Sequence, residues 1–168
     1  DSIKINPEVS LFKKGFKITF IAKNYDSISK RQSFIGRLNK KNKIYYSPTK
    51  NIDSTFKTIS NQAGTYFLAK DSIPPIVKPI NFKKNQWLSK YQFLKIKIED
   101  DLSGIKSYNG EINGKWVLFE YEPKDKNLTY NFSDIKFKSG KQDLKLKVTD
   151  NVGNESVFQT SFYRKYDE

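Results

Sequence analysis

Two short stretches concentrate the side chains able to do chemistry: Glu99-Asp100-Asp101-Leu102-Ser103-Gly104 and Asp150-Asn151-Val152-Gly153-Asn154. Each ends an alternating apolar run, and each gathers hard oxygen donors. A further acidic residue, Asp71, stands just before Pro74-Pro75. If Asp71, Asp100, Asp101, Asp150, Asn151 and Asn154 converge, they offer the oxygen set that Ca²⁺ takes, six to eight ligands at a time. The competing chemistry is local, because Asp and Asn close turns through their own backbone and Gly supplies positive φ. The residue types weigh toward a turn or hinge cluster, with no cofactor expected in this chain beyond the calcium that such hard oxygen donors suit. No EF-hand spacing is present to fix such an ion. Paired carboxylates also perform glycoside hydrolysis at a suitable separation. These carboxylates sit in turns, and nothing in the sequence marks one for a raised pKa.

Composition narrows the field further. The 168-residue chain contains no Cys, no His and no Met. Zinc sites, cysteine nucleophiles and histidine triads are thereby excluded, and no catalytic residue is assigned. A chain that opens on Asp1 and lacks Met reads as part of a longer protein, with any signal peptide outside it. No apolar run approaches the ~18 residues that suggest a membrane span. The net charge is +13, and all the basic residues but Arg31, Arg37 and Arg164 are Lys. Readers of nucleic acid lean on Arg for bidentate contacts. The basic balance therefore reads as a solvated Lys-rich face with a preference for acidic partners, not for nucleic acid. Residues 1–70 carry 14 basic and 4 acidic residues, whereas residues 71–168 carry 17 and 14. That asymmetry suggests two units.

The elements that must position these residues are strands. Leu94, Ile96 and Ile98 alternate with Lys95, Lys97 and Glu99, and Leu144, Leu146 and Val148 alternate with Lys145, Lys147 and Thr149. Period two predicts half-buried strands, and helix signals are nearly absent. Asn113-Gly114 predicts a type I′ hairpin turn. Pro74 and Pro75 forbid helix and make an extended connection. The division is a basic β-sandwich domain over 1–71, a proline linker over 72–76, and an immunoglobulin-like β-sandwich domain over 77–168. In the second domain strands are expected near 76–82, 93–99, 105–112, 115–121, 127–132, 142–149 and 156–163. Loops after the second and sixth of these lie at one pole of a Greek-key sandwich. The first domain repeats the plan loosely: residues 36–46 parallel 110–121, and 64–71 parallel 140–150. After Asp71 the chain enters the proline linker, so the first sandwich is expected to be one strand short. The fold class is all-β, two tandem immunoglobulin/fibronectin-like sandwiches.

Aromatic residues make up 15% of the chain, with Trp87 and Trp116 the largest. They serve either as sugar-stacking platforms or as core pieces in a sandwich without a disulfide, and packing in the core or its rim is the expected use. Tyr45 and Tyr46, among Lys40, Lys41, Lys43 and Lys50, form a more exposed mixture suited to an acidic or glycan partner.

The stretches DSIPPIVKPINF, NQWLSKYQFLKIKIEDDLSGIKSYNGEINGKWVLFEYEP and LKLKVTDNVGNESVFQTSFYRK together resemble the C-terminal region of envelope metallopeptidases of the lysostaphin type found in Bacteroidetes-like bacteria. The resemblance covers most of residues 62–165 and extends loosely to SIKINPEVSLFKKGF. It implies a periplasmic or surface protein with a zinc peptidase domain upstream. Without His, the peptidase activity transfers to no residue of this chain, which would be a non-catalytic accessory region. The expected function is a tandem module that positions or docks that separate domain through contacts with other domains of the same protein, an envelope protein or an anionic or glycan envelope component. Two alternatives stand beside it: a carbohydrate- or peptidoglycan-binding module using Trp87, Trp116 or Tyr45-Tyr46, and a calcium-stiffened spacer.

Overall fold

The computed structural model describes residues 1–5, 11–39 and 41–166. Lys40 and residues 6–10 of the SIKINPEVSLFKKGF stretch lie outside them. The described chain is almost all β, and it divides into two compact units. The first comprises Asp1–Ile73 together with Asp101–Gly104 and Asn151–Asn154; the second comprises Pro74–Asp100, Ile105–Asp150 and Glu155–Glu168. No helix among the described residues is long and apolar enough to cross a membrane.

In the first unit the elements run β1 (Ser2–Ile5), β2 (Leu11–Ile21), α1 (Ser27–Gln32), β3 (Ser33–Leu38), β4 (Ile44–Ser47), β5 (Lys50–Ile52), β6 (Thr55–Gln62) and β7 (Gly64–Lys70). One sheet has the order β1-β7-β3-β4, and a second the order β2-β6-β5. Ile18, Phe20 and Phe56 of the second sheet cluster with Ile35 and Tyr66 of the first to form the core. The run Ser33-Phe34-Ile35-Gly36 breaks the period of two, with all four residues buried. The reason is that β3 is covered on both faces. Ile35 joins the sandwich core, while Phe34 packs with Ala69 and Val152 against Leu102. The short helix α1, absent from the sequence expectation, rests on a local signal. Asp26 accepts a hydrogen bond from Ser29 N–H at 2.6 Å, and Lys30 and Arg31 occupy the last turn.

The second unit runs β8 (Ile76–Pro79), β9 (Phe93–Glu99), β10 (Ile105–Ile112), β11 (Lys115–Val117), β12 (Glu120–Glu122), β13 (Asn127–Asn131), β14 (Gly140–Asp150) and β15 (Glu155–Arg164). Its sheets have the orders β12-β13-β9-β8 and β11-β10-β14-β15. Taken in chain order as A, B, C, C′, D, E, F and G, these are the ABED and C′CFG sheets of an immunoglobulin-like sandwich. Leu94, Ile96 and Ile98 of β9 and Leu144, Leu146 and Val148 of β14 all point into one core with Ile112, Leu128, Tyr130 and Phe162. The strand expected over 115–121 is two strands, because the chain leaves one sheet after Val117 and joins the other at Glu120. Phe119, between them, is buried against Gly110, where a Cβ would run into the Phe119 ring. The turn at Asn113-Gly114 has positive φ at both residues, 53° and 74°, as a type I′ hairpin requires.

Candidate functional site

Within the first unit the acidic and amide residues act on backbone. Asp71 is buried, and its carboxylate accepts from Ile73 N–H at 3.1 Å and Ser103 N–H at 3.0 Å. Its carbonyl accepts from Asn154 Nδ2 at 3.0 Å, and Asn154 Oδ1 accepts from Gln32 Nε2 at 2.9 Å. Asn151 Nδ2 donates to Ser103 O at 2.8 Å and to Gly104 O at 3.2 Å. Gly104 and Gly153 supply the positive φ, 81° and 91°. Such bonds satisfy loop backbone that would otherwise be left unpaired. Asp101 is exposed.

Within the second unit the carboxylates of Asp100 and Asp150 lie within 4.8 Å of one another, at the ends of β9 and β14. Asp150 is fully buried. The pair supplies two oxygen groups of the six to eight that calcium takes.

The first unit also carries the basic aromatic corner. An open concavity of about 610 Å³ is lined by Arg37, Tyr45, Tyr46, Ser60, Asn61 and Gln62. The guanidinium of Arg37 stands 5.2 Å and the ammonium of Lys43 5.5 Å from the Tyr45 ring centroid. The ring is thus engaged by its own cations, and the corner presents positive charge more than a bare aromatic face. Tyr46 packs against Phe34 with ring centroids 5.2 Å apart. Lys41 is exposed, and its N–H donates to Asn39 Oδ1.

The two tryptophans do not fill a core. Trp87 is 60% and Trp116 59% exposed. Trp116 lies on β11 opposite Glu111, while its neighbour Val117 points inward. Trp87 lies beside β15 in a parallel bridge to Tyr163, with ring centroids 5.1 Å apart and planes at 31°. Tyr163 was not singled out by the sequence. The alternation of β15 places it outward, and only the pairing with residue 87 makes it part of an aromatic pair.

Protonation follows local contacts. The Ser29 backbone N–H holds the Asp26 carboxyl below its usual range. Hydrogen bonds from Lys97 and Lys126 lower that of Glu99. Burial raises the phenol of Tyr130 from 10.0 to about 12, and also raises that of Tyr166. A hydrogen bond to Asp143 raises the Lys141 ammonium. These shifts accompany a helix cap, surface ion pairs and core packing.

The fold defines a class: two tandem β-sandwich units of immunoglobulin/fibronectin-like character. No family model matches the chain, and neither does any curated protein. Among solved structures, it is similar to the fibronectin(III)-like modules of CbhA from Clostridium thermocellum, with 11% identity, a TM-score of 0.43, and 98% of this chain and 94% of that one covered. It is also similar to an endo-β-1,4-mannanase from Thermotoga petrophila, with 10% identity, a TM-score of 0.46, and 58% of this chain covered. This chain spans 21% of that enzyme's length. CopC from Methylosinus trichosporium is similar at 13% identity with a TM-score of 0.41, over 55% of this chain and 97% of that one.

Proposed function

We propose that this chain is a non-catalytic tandem β-sandwich module of a cell-envelope protein, which positions or docks a separate cell-wall-acting zinc peptidase domain. The observation that carries the docking reading is the exposure of its largest aromatic side chains, Trp87 and Trp116, on a well-packed sandwich. Large aromatic groups held outside a closed core are what a contact surface requires. The absence of His and Cys from the sequence supports a non-catalytic role, since the usual nucleophile–base pairs need one or the other. The resemblance of residues 62–165 to the tails of lysostaphin-type peptidases supports the peptidase context and a periplasmic or surface location. The basic corner at Arg37, Lys43 and Tyr45 supports an additional preference for anionic envelope components, one that salt screens.

Co-sedimentation with crude envelope fragments tests the proposal. The purified chain is expected to pellet with them and to release no peptide or sugar from them. A chain that stays in the supernatant at both low and high salt would overturn the docking role.

A further inference from the structure

The outer face of the β11-β10-β14-β15 sheet carries an arrangement that packing does not require. Its side chains follow from register: Trp116 lies opposite Glu111, Glu111 opposite Lys145, and Lys145 opposite Gln159. Four residues further along β15 stands Tyr163, opposite Lys141 and beside Trp87. Both tryptophans of the chain therefore lie on this one face, at its two lateral edges. With strands 4.7–4.9 Å apart and a rise of about 3.3 Å per residue, Trp116 and Tyr163 are separated by about 20 Å. Between them lies a shallow concavity of about 610 Å³, lined by Lys84, Glu111, Lys141, Asp143, Lys145 and Gln159 among others.

Both ends are held in place before any ligand arrives. The segment carrying Trp87 is fixed to β15 by three backbone bonds. Asn85 N–H donates to Ser161 O at 2.7 Å, Leu88 N–H to Tyr163 O at 2.8 Å, and Tyr163 N–H to Gln86 O at 2.9 Å. Trp116 follows the type I′ turn, where Asn113 Oδ1 accepts from Asp143 N–H at 2.8 Å and Asn113 Nδ2 donates to Gln142 Oε1 at 2.7 Å. Backbone fixed in this way loses little freedom on binding.

The chemistry of the face selects its occupant. Three lysines meet two acids across the concavity, and Lys141 is already paired with Asp143 at 2.9 Å. So little surplus charge gives a polyanion such as nucleic acid no electrostatic hold. Protein hot spots cluster aromatic residues at a central, desolvated patch inside a polar rim. Here the order is inverted, with aromatic rings at the edges and a polar floor between them. A sugar chain fits that inversion. The electron-rich ring faces meet the polarised C–H face of a pyranose, and its hydroxyls meet the donors and acceptors of the floor.

We infer that this face is a saccharide-binding platform for an extended, uncharged polysaccharide strand, gripped by Trp116 at one end and by Trp87 with Tyr163 at the other. The inference rests on the reading of the chain as a non-catalytic docking module, and supplies the ligand class and the surface.

Because both tryptophans lie on the platform, intrinsic tryptophan emission reports its occupancy. The probes are β-linked hexasaccharides of glucose, mannose and N-acetylglucosamine, together with the corresponding insoluble polysaccharides for pull-down. A saturable emission change with at least one probe is expected, persisting at high salt. Trp116→Ala and Trp87→Ala should each weaken pull-down at least about tenfold, as loss of an anchoring aromatic residue does, while Tyr45→Ala in the first unit leaves it unchanged. Both tryptophans are exposed, so an unaltered circular dichroism spectrum and melting temperature verify that the variants fold. The platform is overturned if no probe changes emission or retains the chain, or if Trp87→Ala with Trp116→Ala binds as the parent does. Envelope retention that protease treatment of the fragments abolishes, and that the double variant keeps, also overturns it while leaving the docking role standing.

Discussion

In the second unit β14 lies between β10 and β15, its successor in the chain. In the first, the corresponding β7 lies between β3 and β1, the earliest strand. Both added strands run antiparallel to the one they flank. Among the described residues the first sandwich has no strand after β7, as the sequence suggests, because the chain after Asp71 enters Pro74-Pro75. Its sheet is nonetheless completed on that side, from the other end of the unit. An exposed edge of unpaired N–H and C=O groups recruits whichever segment is in reach, and chain order is secondary to that demand. The substitution is shorter, four residues of β1 against ten of β15. The cores differ in the same direction. Among the described residues, five buried ones form the main cluster of the first unit and fifteen that of the second. The first unit also incorporates Leu102 and Val152 from distant loops to cover Phe34. It is the unit with less redundancy, and changes there should be felt more.

The largest expected effect is a core truncation. Phe56→Ala removes a fully buried ring from the five-residue cluster and should cost about 3–5 kcal/mol. Leu146→Ala in the second unit should cost about 2–5 kcal/mol. Hydrogen exchange resolves the two: Phe56→Ala should accelerate exchange in β2, β3 and β6 to the unfolded rate, while Leu146→Ala leaves β9, β13 and β14 measurably protected. Equal protection in both variants would break the proposed asymmetry. A smaller effect is expected from deleting residues 1–5, which removes the four-residue pairing with β7. Net worth of about 0.5–1.5 kcal/mol per hydrogen bond predicts a loss of a few kcal/mol, read as faster exchange in β7 and unchanged exchange in β14.

The smallest effect is a pH dependence confined to the second unit. Tyr130 and Tyr66 are both buried tyrosines, but Tyr66 donates to Ser60 Oγ at 2.7 Å while the Tyr130 hydroxyl has no hydrogen-bond partner among the described residues. Burial raises the Tyr130 phenol to about 12 in the folded state, above its ordinary 10.0. Its contribution to stability is fully present below about pH 10 and is lost as pH rises toward about 12, because the unfolded chain ionises first. Tyr130→Phe should flatten the fall in melting temperature over that window, and an unchanged slope would remove Tyr130 as its source.

Much of the second unit was legible in the residues. Leu94-Ile96-Ile98 and Leu144-Leu146-Val148 repeat at period two, and an Asn-Gly turn admits few geometries, so strands and hairpin follow from local chemistry. The break at Leu118-Phe119 was not legible, because an aromatic-rich run looks alike whether it stays in one sheet or crosses to the other. The six polar loop residues had readable turn chemistry, and Asp71, Asn151 and Asn154 do bind loop backbone. For the two tryptophans the residues left core or rim packing and a contact surface both open, and the structure leaves both rings exposed. A large ring serves core and contact surface equally well, and composition carries no information on which way a side chain points.

By itself the sequence determined the all-β class, the strand periodicity, the proline break after Asp71 and the exclusion of histidine and cysteine chemistry. These are properties of single residues and their near neighbours. The tertiary structure alone decided that β1 stands in for a missing last strand, that β3 is buried on both faces, and that Trp87, Tyr163 and Trp116 share one outward surface. Each of these depends on which strands pair and in what register. Register is set by the burial of whole faces at once, a sum over distant residues that no local stretch of sequence contains.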